Sequence, residues 1–462
     1  MLELCLAAAV TTGVGYVLVK RYKPQGVLIV AGILLMAAAI VLGKGPLVPA
    51  KQSTGFLWFD IFAVMKIEFA GTLPFLGLTI MTIGGFVRYM EKCGANEALV
   101  ELAMRPLKYV RSPLLILMLC YFISQIVTLF VPSHAGIGLL LMLTMYPVLI
   151  RTGSSVLTAL AIIATSKFTD LGPISSNAVL AAHTAGMDPT IYFVKYQAFV
   201  GVPAILAVGI AHYFVQPWWD KREKGTSAEA KSLAKDPDRA MPPAIYAILP
   251  TLPLVLVIAF SPLVGSRIKM DAIVAVLICT TITMAFELVR LRDTRAVTDN
   301  LMVFFDGMGK QFTIVVSLIV ASQIFGMGLM RIGAVDTLIT KAQSAGLGLT
   351  AMVVAISAIM IACSFVMGSG NASFFSFASL APRIAAYLNV APVIILLPME
   401  ITSGFGRCMS PITPAIVAIA GIAGASPIQV AKRCVIPVLA AIVANMIATY
   451  YFFLSNPGLA KW

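Results

Sequence analysis

The sequence predicts an all-α polytopic membrane protein made of two inverted repeats, each with about five spans, a re-entrant hairpin and a broken helix. Three observations carry this. Of 462 residues, 60% are hydrophobic and 11% charged, with a mean hydropathy of +0.95, far from the roughly half apolar and quarter charged soluble domain. Apolar runs of about 20 residues recur, each enough to cross a ~30 Å hydrocarbon core. The second half of the chain also repeats the first at nearly constant spacing.

Residues 2–19 form the first span. Lys20, Arg21 and Lys23 follow this run instead of preceding it, and no small-residue cleavage site stands out, so it is not read as a signal peptide. Spans 26–42 and 72–90 come next, the latter preceded by an amphipathic segment with Asp60. The apolar stretch 113–150 is nearly twice a span and is interrupted at 131–138 by VPSHAGIG. That tip is small and hydroxyl-rich, without the charge of a solvent loop, so a re-entrant hairpin is expected. Stretch 156–185 is broken at 166–173 by SKFTDLGP, and span 196–215 closes the first repeat, 1–215. Segment 216–243 carries both charges and ends in prolines, as a solvated cytoplasmic linker does. The second repeat, 244–462, offers spans 244–260, 273–286 and 312–330, a hairpin 350–386, a broken span 393–423 and a last span 435–453.

The repeat is read residue by residue. A shift of 239 sets Cys93-Gly94-Ala95 on Ile332-Gly333-Ala334, and Asp60 on Asp299. A shift of 238 sets Gly172-Pro173-Ile174-Ser175 on Ser410-Pro411-Ile412-Thr413, Gly186 on Gly424 and Pro189 on Pro427. At 235, Ser133-His134-Ala135-Gly136 falls on Gly368-Ser369-Gly370-Asn371. An odd number of crossings per half turns the second half over. The basic residues agree: Lys20 to Lys23, Arg88 to Arg111, the linker, Arg290 to Arg295 and Lys432/Arg433 fall on one side. Taken as cytoplasmic, that side leaves both termini periplasmic.

The net charge of +13 is therefore an orientation signal, and no nucleic-acid partner is expected. Seven scattered Cys without CxxC, and three His without HExxH, argue against a metal site; GxxxxGK[ST] is absent, which argues against ATP drive. No cofactor and no enzyme activity are expected.

Function is expected where broken backbone and charge coincide. In PMEITSGFGRCMSPITP (398–414), Arg407 stands inside apolar sequence, where a charge costs roughly 2.5–3.5 kcal/mol on insertion scales. Ser403, Gly404, Gly406, Ser410, Pro411, Thr413 and Pro414 around it suggest a helix unwound halfway across the membrane. A guanidinium can hold a carboxylate with two parallel hydrogen bonds, so a small carboxylate is the expected cargo. Ser133, Ser175, Ser176, Asn177, Ser369, Gly370, Asn371, Ser410 and Thr413 would complete the substrate site from tips and breaks. Two other outcomes stay open: Arg407 pairs internally with Asp170 or Glu400, and Lys167 snorkels to an interface. Asp170, His134 and Glu400 are candidates for carrying a coupling ion, H⁺ or Na⁺.

GSGNASFFSFASLAPRIA (368–385), GRCMSPITPAIVAIAGIAGASP (406–427) and YMEKCGANEALVELAMRPLKYVRSP (89–113) resemble the DcuC family, and its DcuD-like branch in particular. These are bacterial C4-dicarboxylate carriers associated with anaerobic growth, within the ion transporter superfamily. The resemblance covers essentially the whole chain. It implies secondary active transport of fumarate, succinate, malate or aspartate across the inner membrane, by uptake, exchange or succinate efflux. It also implies a lipid-embedded homodimer, with a scaffold domain and an elevator-like domain holding both hairpins. His134 in the first tip, Lys167 and Asp170 in the first break, and Glu400 before Arg407 depart from the family pattern. They leave the second-half site intact but admit an alternative cargo, another small organic anion or an amino acid on the same fold.

Overall fold

The computed structural model describes residues 2–131, 133–223, 242–334, 336–337, 340 and 348–455. Among them every regular element is helical. The first half contains α1 (Leu2–Val19), α2 (Pro24–Val41), α3 (Asp60–Cys93), α4 (Ala95–Met104), α5 (Pro113–Thr128), α6 (His134–Thr144), α7 (Tyr146–Arg151), α8 (Val156–Ala164), α9 (Ser176–Thr184) and α10 (Pro189–Arg222). The second contains α11 (Ala244–Ala259), α12 (Ala272–Leu291), α13 (Thr294–Arg331), α14 (Leu349–Met367), α15 (Gly370–Ala378), α16 (Ala381–Tyr387), α17 (Pro392–Met409), α18 (Pro414–Ala423) and α19 (Pro427–Leu454). Among the described residues eight stretches are long and apolar enough to span a membrane: α2, α3, α10, α12, α13, α14, α17 with α18, and α19. The polytopic all-α class is borne out.

Three boundaries differ from expectation. The amphipathic segments before each third span are not separate elements: Asp60–Thr72 continues through a π turn at Leu73–Gly77 into Leu78–Cys93, and Thr294–Gln311 continues through Phe312–Val316 into Ser317–Arg331. A π turn absorbs one residue without ending a helix, and such turns gather at functional sites. Second, α10 extends seven residues into the expected linker, because Trp219 is buried and Asp220 pairs with Arg433 on α19; residues 224–241 of that linker lie outside the described residues. Third, the helix carrying Arg407 does not unwind at Ser403–Gly406. It stays helical to Met409, and only 410–413 are irregular.

The glycines there serve close approach. A Cβ on Gly404 would lie 2.1 Å from the Phe168 carbonyl oxygen, and one on Gly406 1.9 Å from Ser364 Oγ. Small residues that let backbones touch are the usual membrane helix contact. The same device joins α3 to α13, where a Cβ on Gly307 would meet Gly85 Cα at 2.8 Å. Along this pair Thr72 donates to Gln323 at 2.7 Å, Gly77 lies against Val316 and Gly84 against Gln311, so the two helices run antiparallel.

Positions matched in sequence match in structure. The π turns begin at Leu73 and Phe312, and left-handed glycines end helices at Gly94 and Gly333 (φ 79° and 81°) and at Gly186 and Gly424 (both 70°). Pro189 and Pro427 open α10 and α19. The hairpins cross over: α6 packs on α18 and α15 on α9, so each tip meets the broken helix of the other half.

A cavity of two tips and two breaks

The two hairpin tips and the two breaks surround one cavity of about 290 Å³. Ser133 and Ser369 cap the second helix of their hairpins in the same way: Ser133 Oγ accepts from the Gly136 amide at 3.1 Å, and Ser369 Oγ from the Ala372 amide at 3.2 Å. Ser175 and Thr413 precede α9 and α18. The first residues of all four helices line the cavity: His134 and Ala135, Gly370 and Asn371, Ser176, and Pro414 with Ala415. Each helix start offers unpaired N–H groups and a partial positive charge, so four of them facing one space favour an anion.

Arg407 reaches this space from the last turn of α17, at 4% exposure. Its Nη1 lies 2.9 Å from Asp170 Oδ2 and donates to Asn371 Oδ1 at 3.3 Å; its Nη2 donates to the Lys167 carbonyl at 2.7 Å. Nε has no partner among the described residues. The internal pairing with Asp170 is thus formed, and the one with Glu400 is not. Asp170 also accepts from Asn177 Nδ2 at 2.9 Å and faces Lys167 Nζ at 3.3 Å. Lys167 does not snorkel: it is 1% exposed, held inward by that ion pair. Removing Asp170 would leave the two buried cations Arg407 and Lys167 without their shared anion, the costly way to break a buried pair.

Of the expected site residues, Ser133, His134, Asp170, Ser176, Ser369, Gly370, Asn371, Arg407 and Thr413 line the cavity. Ser175, Asn177 and Ser410 lie behind the wall. Asn177 positions Asp170, and Thr413 Oγ1 bridges back to the Arg407 carbonyl at 2.6 Å. Glu400 is also behind the wall, 1% exposed, accepting from Gln197 Nε2 at 3.0 Å and from the Tyr192 hydroxyl at 3.4 Å. The sequence reading missed Gln197. Its amide also donates to the Asp170 carbonyl at 3.0 Å and its Oε1 accepts from the Gly172 amide at 2.9 Å, so it ties the first break to Glu400. A glutamine inside an apolar span was the available signal. Gln311 on α13 and Gly84 on α3 were missed too; they form the wall opposite the breaks.

On one side the cavity shares Gly84, Val87, Ser133 and Gln311 with a vestibule of about 690 Å³, lined also by Arg88, Glu91, Lys92 and Lys310. On the other side α15 packs against α13, where a Cβ on Gly326 would meet Ser379 Oγ at 2.8 Å. The pocket there, about 270 Å³ between Glu68, His183 and Gln323, has no lining residue in common with the central cavity.

Comparison with known proteins agrees with this picture. The probable anaerobic C4-dicarboxylate transporter DcuC of Vibrio cholerae is 35% identical over 450 residues, 97% of each chain. The anaerobic C4-dicarboxylate transporter DcuC of Escherichia coli K12 is 35% identical over 459 residues, 99% of this chain and 98% of its own. Among solved structures, the YdaH transporter of Alcanivorax borkumensis, described as having an unusual topology, superposes with a TM-score of 0.67 at 13% identity, covering 94% of this chain and 99% of that one; this likeness speaks for the fold alone. The DcuC family profile, described as C4-dicarboxylate anaerobic carrier, matches residues 2–453, and the chain belongs to that family.

Proposed function

We propose that the protein is a secondary active transporter of C4-dicarboxylates such as fumarate, succinate, malate and aspartate across the bacterial inner membrane. The observation that carries this is the convergence of four helix starts and the Arg407 guanidinium on one cavity of about 290 Å³. That space suits a small anion, and the names of the full-length relatives point to a C4-dicarboxylate. The antiparallel α3–α13 pair and the crossed hairpins support two inverted repeats with the substrate bound at their interface. Taking the side of Arg88, Lys92 and Lys310 as cytoplasmic by the positive-inside rule, we read the vestibule as an inward-facing opening and both termini as periplasmic. Elevator-like movement of the hairpins and breaks against α3 and α13, in a homodimer, would alternate access. H⁺ or Na⁺ coupling would use Asp170, His134 or Glu400.

Reconstituted protein tests this with labelled succinate, fumarate, malate, aspartate and lactate under imposed H⁺ or Na⁺ gradients. Saturable transport of C4 acids, lost in Arg407→Ala, is expected. Absence of any C4 transport, or unchanged transport in Arg407→Ala, overturns the reading.

A further inference from the structure

Arg407 is already occupied by a carboxylate. Asp170 Oδ2 sits 2.9 Å from its Nη1, and both residues line the cavity where four helix starts converge. Asp170 is held at the same time by two other partners, Lys167 Nζ at 3.3 Å and Asn177 Nδ2 at 2.9 Å. Lys167 has no other polar contact from its ammonium among the described residues. Arg407 is also held by the Lys167 carbonyl, through Nη2 at 2.7 Å. Asp170 lies in the irregular segment 165–175, where Gly172 holds a φ of +110°, so its carboxylate is not fixed by a helix.

We propose that Asp170 is an internal stand-in for a substrate carboxylate, and that it permits the empty carrier to reorient. The inference rests on the dicarboxylate reading above. When substrate enters, its carboxylate takes Arg407 while Asp170 is left to Lys167 and Asn177, which already hold it. When substrate leaves, Asp170 returns to Arg407. In neither state is a buried charge left alone, which would be the costly outcome. A carrier without this device could move only when loaded and would exchange one substrate for another. With it, the carrier can perform net uptake or net efflux. The sequence of the second half contains no equivalent, since the position 238 residues after Asp170 is Cys408.

The test compares two fluxes of labelled succinate in proteoliposomes of the full chain: net movement into substrate-free vesicles, and exchange into succinate-loaded ones. In Asp170→Asn the ratio of net flux to exchange should fall about tenfold, the effect of roughly 1.4 kcal/mol on empty reorientation, while succinate binds more tightly. Asp170→Glu should restore the ratio. If Asp170→Asn does not fold, Lys167→Met serves: Asp170 then stays on Arg407, binding weakens and the ratio does not fall. Equal loss of both fluxes in Asp170→Asn, an unchanged ratio, or a falling ratio in Lys167→Met overturns the inference while leaving dicarboxylate transport standing. Absence of both fluxes in the unmodified protein overturns both.

Discussion

The two breaks occupy equivalent places and are built differently. The first is long: 165–175 leaves the helix for eleven residues and carries Lys167 and Asp170. The second is short, 410–413, and its charge, Arg407, sits one turn earlier on intact helix. The long loop lies on the glycine face of the short-break helix, with the Phe168 carbonyl against Gly404 and the Phe168 ring stacked on Phe405, centroids 5.6 Å apart. The short-break helix is thus a platform, and the long break is a loop resting on it.

The sharpest way to break this comparison is to exchange the chemistry of its two cations. Arg407→Lys keeps the charge but cannot reach Asp170, Asn371 and the Lys167 carbonyl together. Charged hydrogen bonds contribute about 1.5–3 kcal/mol each, so transport should fall roughly ten- to a hundredfold. Lys167→Arg should lose less, because Lys167 makes a single ion pair. Proteoliposome transport rates check both, and an equal loss would mean that the two breaks contribute alike.

Next in size is the platform itself. Gly404→Ala and Gly406→Ala place a methyl group against backbone oxygens at 2.1 and 2.2 Å, which cannot move as a side-chain tip can. Overpacking of this kind costs about 1–3 kcal/mol. The melting temperature of purified protein should drop clearly. Gly138→Ala, whose nearest neighbour is Ile419 Cγ2 at 3.4 Å, should drop it far less. A tolerant Gly404→Ala would remove the platform from the argument.

Gln197 joins the long loop to the platform. It is fully buried, and Gln197→Leu strips the Gly172 amide, the Asp170 carbonyl and Glu400 of their shared partner. Leaving buried polar groups unpaired costs about 1–3 kcal/mol each. Part of that loss should be recovered in Gln197→Leu/Glu400→Gln, because the orphaned carboxylate is then gone. Thermal melts of the two single variants and the double variant measure this coupling.

Much of this was legible beforehand, for physical reasons. Span length and apolar runs are properties of sequence, and so were the matched positions of the two halves and the grouping of both tips and both breaks around Arg407. Gly404 and Gly406 misled, because a glycine that breaks a helix and one that admits a neighbour's backbone look alike until the neighbour is known. Lys167 misled similarly: a lone lysine in an apolar run reads as snorkelling unless its partner is placed three residues away on the same irregular loop. Gln197 showed as a polar residue in an apolar span, but its role did not, because its partners come from two other segments. Contacts between repeats, unlike patterns within them, are not written in local spacing.

The smallest expected effect separates the two tips. Ser133 and Ser369 cap equivalent helices with nearly equal geometry, and losing such a cap costs about 1 kcal/mol. Both line the central cavity, but their amide partners differ: Gly136 lines the vestibule, whereas Ala372 is buried and lines neither space. Water in the vestibule can satisfy the Gly136 amide after Ser133→Ala, but the buried Ala372 amide is less accessible to it after Ser369→Ala. Ser369→Ala should therefore cost the full ~1 kcal/mol and Ser133→Ala only a few tenths, read as melting-temperature shifts in the same detergent. The reverse order would mean that the first tip, not the second, is the drier of the two.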